Sequence, residues 1–174
     1  MMYINRLSQQ HDRISFNSGV PELDCYLQVQ AWQDMKRNLS VVYVLTEDRK
    51  SIAGYYTLSQ SALNVHDLPG NIARKLPPHR AVPCTLLGRL AVDKRYQGSG
   101  YGRVLLFHAL GKAFRLSKEL ASFAVIVDAK DNKSKAFYEK YGFIEMKGPP
   151  LRVFIPMHGI NHLMQIWSIN SIIH

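Results

Sequence analysis

A glycine-rich segment between an apolar run and an amphipathic run holds the residues best suited to chemistry. Residues 95–102 read RYQGSGYG, follow the apolar run 86–92, and lead into apolar side chains at helical spacing over 104–113. A strand, a glycine turn and a helix in this order bring bare backbone N–H groups and the positive end of a helix dipole together. The segment therefore predicts an anion site, most naturally for a phosphate.

The glycine spacing separates this segment from the two common nucleotide-binding loops. A Walker A loop needs Gly-Lys-Ser or Gly-Lys-Thr, and a dinucleotide fingerprint needs Gly-x-Gly-x-x-Gly. Here Gly98, Gly100 and Gly102 recur at every second position. The pattern is instead Arg/Gln-x-x-Gly-x-Gly/Ala, filled by Arg95, Gly98 and Gly100. Taken alone, it fits a ligand loop and a turn that serves only the fold equally well.

The elements that must position this loop form a strand-rich first half and then a strand–helix–strand unit. A hairpin before the loop and a parallel strand pair around the helix after it indicate a mixed sheet. We therefore expect a single α+β domain over 1–174, with a mixed central sheet flanked by helices. Apolar runs predict strands over 41–45, 52–58, 85–92, 123–127, 143–146 and 151–155, and helical spacing predicts helices over 71–75, 100–118 and 131–141.

Several polar and proline residues predict where elements begin. Ser18 is expected to cap the first helix, with Pro21 near its first position. Pro83 is expected to introduce the strand before the glycine loop. Asp128 and Asp131 follow a buried-type strand and precede a helix, so capping is the preferred role for both.

The charge balance points to an anionic partner. The chain has 22 Lys and Arg against 13 Asp and Glu, a formal charge of +9 and a pI near 9.7. A basic domain attracts polyanions through its summed field. Solubility or compensation for one anionic cofactor would also produce an excess, although one cofactor is a small reason for all of it. The charge therefore indicates two candidate partners, a nucleic acid and an acidic protein.

Composition and the remaining motifs narrow the class of protein. A hydrophobic content of 47% is globular. No apolar run reaches the ~20 residues of a membrane span, and the polar N-terminus predicts a cytoplasmic protein. Cys25 and Cys84 are expected to be reduced packing residues. His158 and His162 share helical spacing without further ligands nearby, so no metal site is expected.

Three stretches in this order resemble the GNAT acetyltransferases. They are Leu90-Ala91-Val92 before the loop, the loop itself, and residues 132–143, whose Asn132 and Ala136-Phe137-Tyr138-Glu139-Lys140-Tyr141-Gly142-Phe143 are similar to the family signature "N…A..FYEK.GF". The resemblance implies a GNAT fold that binds acetyl-CoA.

The likeness extends to the GNAT toxins of bacterial toxin–antitoxin modules. It rests on residues 16–24, 54–59, 87–93 and 151–157, and covers most of 14–157. In that subfamily the implied activity is acetylation of the α-amino group of aminoacyl-tRNA, which stops translation. The implied partners are a ribbon-helix-helix antitoxin and, through the complex with it, operator DNA. A homodimer is also implied, whereas the expectation of no membrane association rests on the lack of a long apolar run.

The resemblance assigns a cofactor role to residues on both sides of the loop. Backbone groups of Leu90, Ala91 and Val92 are expected to meet the pantetheine arm and the oxyanion, with Asn132 bonding the arm. Tyr138 is expected to be the general acid for the leaving thiolate, and the alternative is a packed helix tyrosine like Tyr141. The pyrophosphate is expected at Arg95, Gln97, Gly98, Ser99, Gly100, Tyr101, Gly102 and Arg103.

The acceptor side is expected to use basic side chains and no strong base. The α-amine of an aminoacyl ester titrates below the ~8 of a free α-amine, so water suffices to take its proton. Asp128 and Asp131 are reserve bases. Arg89 lies in an apolar strand, where it could pair with an acid or reach substrate. The candidates for RNA phosphate contacts are Arg74, Lys75, Arg80, Arg89 and Lys94, although a solvated surface charge is the preferred interpretation for any one of them alone.

Two other functions stay open at this point. A GNAT enzyme acting on a small-molecule amine or a protein amine is one, although its substrates often favour an acidic cleft. A binding module that has lost catalysis is the other, and the intact loop and Tyr138 argue against it. The apolar tail over 158–174 could pack or form a partner surface.

Overall fold

Seven strands form one mixed sheet within residues 1–172, which the computed structural model describes. They are β1 (Tyr3–Arg6), β2 (Val41–Thr46), β3 (Gly54–Asn64), β4 (Ala81–Val92), β5 (Ala124–Asp128), β6 (Ile144–Glu145) and β7 (Arg152–Pro156). Their order across the sheet is β1-β2-β3-β4-β5-β7-β6. The β2–β3 pair is antiparallel and the β4–β5 pair is parallel, which confirms the predicted hairpin and the predicted strand–helix–strand unit.

Six α-helices lie in the same described range. They are α1 (Pro21–Cys25), α2 (Ala31–Lys36), α3 (Gly70–Ala73), α4 (Tyr101–Leu116), α5 (Asn132–Lys140) and α6 (Met157–Ile172). Gly142 has φ +94° directly after the end of α5, as expected of a glycine that stops a helix. The predicted tail is helical as far as it is described, and residues 173 and 174 lie outside that range.

The first helical stretch differs from the prediction at its start. Pro21 does occupy the first turn of α1, but the N-cap is Val20 and no side chain caps the helix. Ser18 instead donates from its backbone N–H and its hydroxyl to Asp24 Oδ1, at 2.8 and 2.6 Å. The capping prediction for Ser18 is therefore wrong, because Asp24 reaches back to the serine before the helix begins.

A π-helical turn over Tyr26–Gln30 separates α1 from α2. It places Tyr26 and Leu27 in the core, while Cys25 just before it is exposed. The expectation that Cys25 packs inside is thus wrong, whereas Cys84 is buried.

Strand β4 starts earlier than predicted. Pro83 lies inside the strand and does not precede it. Proline has no N–H to donate, but the Pro83 carbonyl accepts a hydrogen bond from Phe123 N–H at 2.8 Å. The parallel register pairs Thr85 with Val125 and Leu86 with Ile126, both before Gly88.

The chain divides into two compact units, and β4 and α4 contribute residues to each. The first unit contains Met1–Ser59 and Leu87–Ala109, and the second contains Gln60–Leu86 and the residues from Leu110 onward. The core of the first includes Phe16, Tyr26, Leu27, Val42, Val44, Tyr55 and Ala91. The core of the second includes Leu63, Leu68, Cys84, Ile126, Met146 and Phe154.

Candidate active site

The glycine-rich loop is built to leave backbone exposed. Gly98 and Gly100 have φ +82° and +83°, a region that favours glycine. Apart from each glycine and its two chain neighbours, no described residue has an atom within 4 Å of the position a Cβ would take at either glycine. Val104 N–H bonds to Gly100 O at 3.2 Å, so the N–H groups of 101–103 belong to the unpaired first turn of α4. This geometry fits the predicted phosphate cradle.

A buried carboxylate fixes the entrance to this loop. Asp93, only 1% exposed, accepts hydrogen bonds from Asn17 N–H at 3.0 Å and from Arg95 N–H, Nε and Nη2 at 2.9, 2.9 and 3.1 Å. Burial acts to raise the pKa of Asp93, but the bonds from Arg95 and Asn17 outweigh it and hold that pKa below the usual value. Asp93 therefore remains a carboxylate that ties residue 17 to the start of the loop.

The side chain of Gln97 makes a second tie to the same segment. Its Nε2 donates to Ser18 O at 2.8 Å and to Val92 O at 2.9 Å. Lys94 N–H donates to Asn17 O at 2.8 Å, and the aliphatic stem of Lys94 covers Gly19. Asp93 was not among the predicted site residues, although a carboxylate directly after a strand and two residues before an arginine is a usable signal in the sequence.

The two arginines predicted at the pyrophosphate have different surroundings. Arg95 is engaged by Asp93 through both carboxylate oxygens, which compensates its charge. Arg103 is exposed in the first turn of α4. The structure thus favours Arg103 over Arg95 as the cation that an anion at the loop would meet.

The strand end before the loop is closely packed. Ala91 is buried, and Leu90 and Val92 are half-buried. A Cβ on Gly54 would lie 2.9 Å from the Ala91 carbonyl oxygen and 2.7 Å from Leu105 Cδ1. Gly54 therefore lets β3 approach the backbone that is predicted to carry the oxyanion donor.

Tyr138 lies on α5 in an aromatic cluster. Its ring packs edge-to-face against Phe137 and Phe143, with centroids 5.2 and 5.4 Å apart, and the residue is 7% exposed. Within the described part of the chain its hydroxyl has no hydrogen-bond partner, and no fully buried side-chain oxygen there lacks one, so solvent reaches this hydroxyl. Burial raises the pKa of Tyr138. The hydroxyl is therefore protonated at neutral pH, as a proton donor must be.

The polar residues at the start of α5 take different roles from one another. Asp131 is the N-cap and accepts from Ser134 N–H at 2.7 Å, which confirms the capping prediction. For Asp128 that prediction is wrong, because Arg152 binds both of its carboxylate oxygens at 2.6 and 2.8 Å. Asn132 is exposed in the first turn of the helix.

Arg89 is held by an aromatic ring. Its guanidinium carbon lies 3.5 Å from the centroid of the Tyr26 ring, and the residue is half-buried. Of the two alternatives for Arg89, pairing with an acid is not found among the described residues. Arg74, Lys75, Arg80 and Lys94, the other predicted RNA contacts, are all exposed.

We searched the described residues for clusters of metal-ligating side chains and for helices that could span a membrane. No group of three or more His, Cys, Asp or Glu residues there could hold a metal ion. None of the described helices is long and apolar enough to span a membrane.

Comparison with known proteins gives consistent matches over most of the chain. The acetyltransferase (GNAT) family model matches residues 7–143. The chain is 34% identical over 152 residues to a tRNA-acetylating toxin of Mycobacterium tuberculosis, covering 87% of this chain and 90% of that protein. It is 30% identical over 163 residues to the probable toxin TacT of Sinorhizobium fredii, covering 89% and 90%.

Similar solved structures include complexes. AtaT with acetyl-methionyl-tRNAfMet has a TM-score of 0.87 and 27% identity, covering 94% of this chain and 99% of that one. AtaTR bound with acetyl-CoA has a TM-score of 0.82 and 28% identity, covering 94% and 98%. The AtaT–AtaR complex bound to DNA has a TM-score of 0.76 and 27% identity, covering 93% and 99%.

Proposed function

Because the chain belongs to the acetyltransferase (GNAT) family, we propose that it is a toxin that transfers acetyl from acetyl-CoA to the α-amino group of aminoacyl-tRNA. The family match confirms the predicted GNAT fold and an acetyl-CoA-dependent acetyltransferase. The observation that carries the choice of acceptor is the tRNA-acetylating relative, which matches 87% of this chain. The structural match to AtaT with acetyl-methionyl-tRNAfMet supports it.

The glycine loop is proposed to hold the pyrophosphate of acetyl-CoA. The cofactor supplies an activated acetyl thioester. The proposed donors are the backbone N–H groups of 97–102, including Ser99 and Tyr101, with Arg103 adding charge and Arg95 reaching the anion only as part of its pair with Asp93. The open space beside Gly98 and Gly100 supports this assignment.

The chemistry is proposed to use backbone on one strand and one side chain on a helix. A backbone N–H within Leu90, Ala91 and Val92 stabilises the negative charge that develops on the carbonyl oxygen, and Asn132 bonds the pantetheine arm. Tyr138 donates a proton to the departing thiolate. Its protonated hydroxyl, reached by solvent in an otherwise buried residue, supports this role.

The acceptor amine is proposed to need no protein base. The α-amine of an aminoacyl ester is largely neutral at cellular pH, so water takes the proton it loses on attack. Asp131 is engaged as a helix cap and Asp128 in an ion pair, which argues against either as the base.

The basic side chains are proposed to contact RNA phosphates. Arg74, Lys75, Arg80, Arg89 and Lys94 are the candidates, and the net charge of +9 supports a polyanionic substrate. A reaction in this environment predicts a KM for charged tRNA that rises steeply with salt.

The proposed assembly is that of a toxin–antitoxin module. The antitoxin is proposed to be a ribbon-helix-helix protein, and operator DNA is met only through its complex with the toxin. The AtaT–AtaR complex bound to DNA supports an antitoxin partner and DNA binding through the complex. We further propose a homodimer, testable by light scattering, and a cytoplasmic location, where charged tRNA is found.

A labelling experiment tests the function. The purified protein is incubated with acetyl-labelled acetyl-CoA and either charged tRNA, uncharged tRNA, polyamines or protein N-termini. Label on charged tRNA alone is the expected result. Label on polyamines or proteins would favour an acetyltransferase of small-molecule or protein amines, and failure to bind acetyl-CoA would indicate a binding module.

A further inference from the structure

Arg89 occupies a position that strand alternation assigns to the core. It lies between Leu87 and Ala91 on one face of β4, and both neighbours are buried at 1% and 5% exposure. Ala91 belongs to the core of the first unit. A charged side chain in such a row is costly unless its charge is used.

The structure places the Arg89 guanidinium on an anchored aromatic ring. The group lies over the ring of Tyr26 at 3.5 Å, and that ring is itself anchored, because the Tyr26 hydroxyl donates to Asp34 Oδ2 at 2.9 Å. Gln30 Nε2 donates to Asp34 Oδ1 at 2.8 Å. Tyr26 and Gln30 are the ends of the π-helical turn, a conformation common at functional sites.

The nitrogens of Arg89 are available to a ligand. Arg95 and Arg152 each donate to both oxygens of a carboxylate, but no described residue accepts a hydrogen bond from the Arg89 side chain. No fully buried side-chain nitrogen in the described range lacks a partner, so the Arg89 nitrogens are reached by solvent. A planar cation whose donors have no acceptor among the described residues is suited to a bidentate anion.

We propose that Arg89 binds the last phosphodiester of charged tRNA and thereby sets the position of the aminoacyl ester. This deepens the proposed function and rests on it. The residue after Arg89 begins the backbone 90–92 proposed for the thioester, so the phosphate within its reach is the one nearest the acceptor amine. Tyr26 is a positioning residue that orients the guanidinium.

Kinetics with two acceptors test this assignment. One acceptor is charged tRNA, and the other is the matching aminoacyl-adenosine, which carries the same amine and no phosphate. Arg89→Met should raise the KM for charged tRNA about tenfold to a hundredfold more than the KM for aminoacyl-adenosine. The slope of log KM for charged tRNA against the logarithm of the salt concentration should fall by about 0.7–0.9, the contribution of one phosphate contact.

Two further variants sharpen the result. Arg89→Lys should keep the salt dependence of the natural protein, because it preserves the charge. Its KM for charged tRNA should lie between those of the natural protein and Arg89→Met, because lysine lacks the planar fork. Arg115→Met, which removes an exposed arginine from the last turn of α4, should leave both KM values unchanged.

Other outcomes would overturn the inference. An equal loss with both acceptors would make Arg89 a structural residue, and no loss with either would remove it from the site. If Arg89→Met raised only the KM for acetyl-CoA, the anion that Arg89 binds would be a phosphate of the cofactor and not of tRNA. If the unsubstituted protein acetylated no charged tRNA, the proposed function would fail, and this inference would fail with it.

Discussion

Residues 93–103 carry the groups proposed to hold the cofactor pyrophosphate, residues 131–143 carry the proposed proton donor, and the two regions are built in opposite ways. The first exposes backbone and fixes it with polar side chains, through Asp93 and Gln97. The second buries a single phenol among aromatic rings, through Phe137 and Phe143. The difference follows from the tasks, since a phosphate needs several converging N–H groups and a leaving thiolate needs one proton.

The largest expected effect comes from the aromatic region. Tyr138→Phe removes one hydroxyl and keeps the packing, so kcat should fall about 10²–10⁴-fold and toxicity should disappear. The dissociation constant of acetyl-CoA should stay the same by calorimetry. Tyr141→Phe, at the C-cap of the same helix, is the matched control and should keep kcat. Turnover retained in the Tyr138 variant would remove its proposed role.

The pH dependence of the same residue gives a second test. Because burial raises the pKa of Tyr138, its hydroxyl stays protonated through and beyond the range in which an exposed tyrosine titrates, near ~10. The kcat profile should therefore show no alkaline limb below about pH 10. An acidic limb is expected from protonation of the acceptor amine, and it should be unchanged in the Asp128→Asn variant.

The next effect should come from the polar ties of the loop. Asp93→Ala leaves Asn17 N–H and the Arg95 guanidinium without their acceptor, which should cost about 2–4 kcal/mol of unfolding free energy in urea. Affinity for acetyl-CoA should fall as well, because the loop loses its anchor. A stable variant with unchanged affinity would contradict this.

Acid titration sharpens the Asp93 prediction. Its pKa is lowered in the folded state, so its stabilising contribution is present above the unfolded value near ~3.9 and is lost as the pH falls through the folded value. The stability difference between the natural protein and Asp93→Ala should be constant at neutral pH and shrink below about pH 4.

A smaller effect is expected at the glycines. Gly98→Ala or Gly100→Ala meets no clash, but an alanine at positive φ raises the free energy of the loop conformation by roughly 1–2 kcal/mol. The free loop should then leave this conformation, and restoring it on binding should weaken the affinity for acetyl-CoA about fivefold to thirtyfold. Gly70→Ala is the control, since it also has open space around it and lacks a positive φ. Equal affinities in all three variants would show that the loop conformation does not matter for binding.

The smallest effect should come from Asp128→Asn. The carboxylate is half-exposed and paired with Arg152, so its loss should cost about 1 kcal/mol or less and change kcat by less than about twofold. A large fall in kcat, with normal binding of both substrates, would restore Asp128 as a base.

Spacing in the sequence predicted the loop better than it predicted the contacts that support it. Gly98 and Gly100 mark the loop because only glycine adopts their backbone readily. Pairs distant in the chain, such as Asn17 with Asp93 or Tyr26 with Arg89, leave no local pattern and depend on how the first unit packs. The same holds for Asp128. Its local sequence suggests a helix cap, but its partner is Arg152, which lies 24 residues away in the chain.

Gly54 offers a route to a conditional allele. A methyl group there would meet the Ala91 carbonyl at 2.9 Å, and that carbonyl belongs to a strand that can yield only by moving. The Gly54→Ala protein would keep every ligand group and displace the backbone that is proposed to stabilise the oxyanion. Because the clash destabilises the fold, more of the variant should be unfolded at higher temperature, so cells should tolerate its production at a temperature at which the natural protein stops growth.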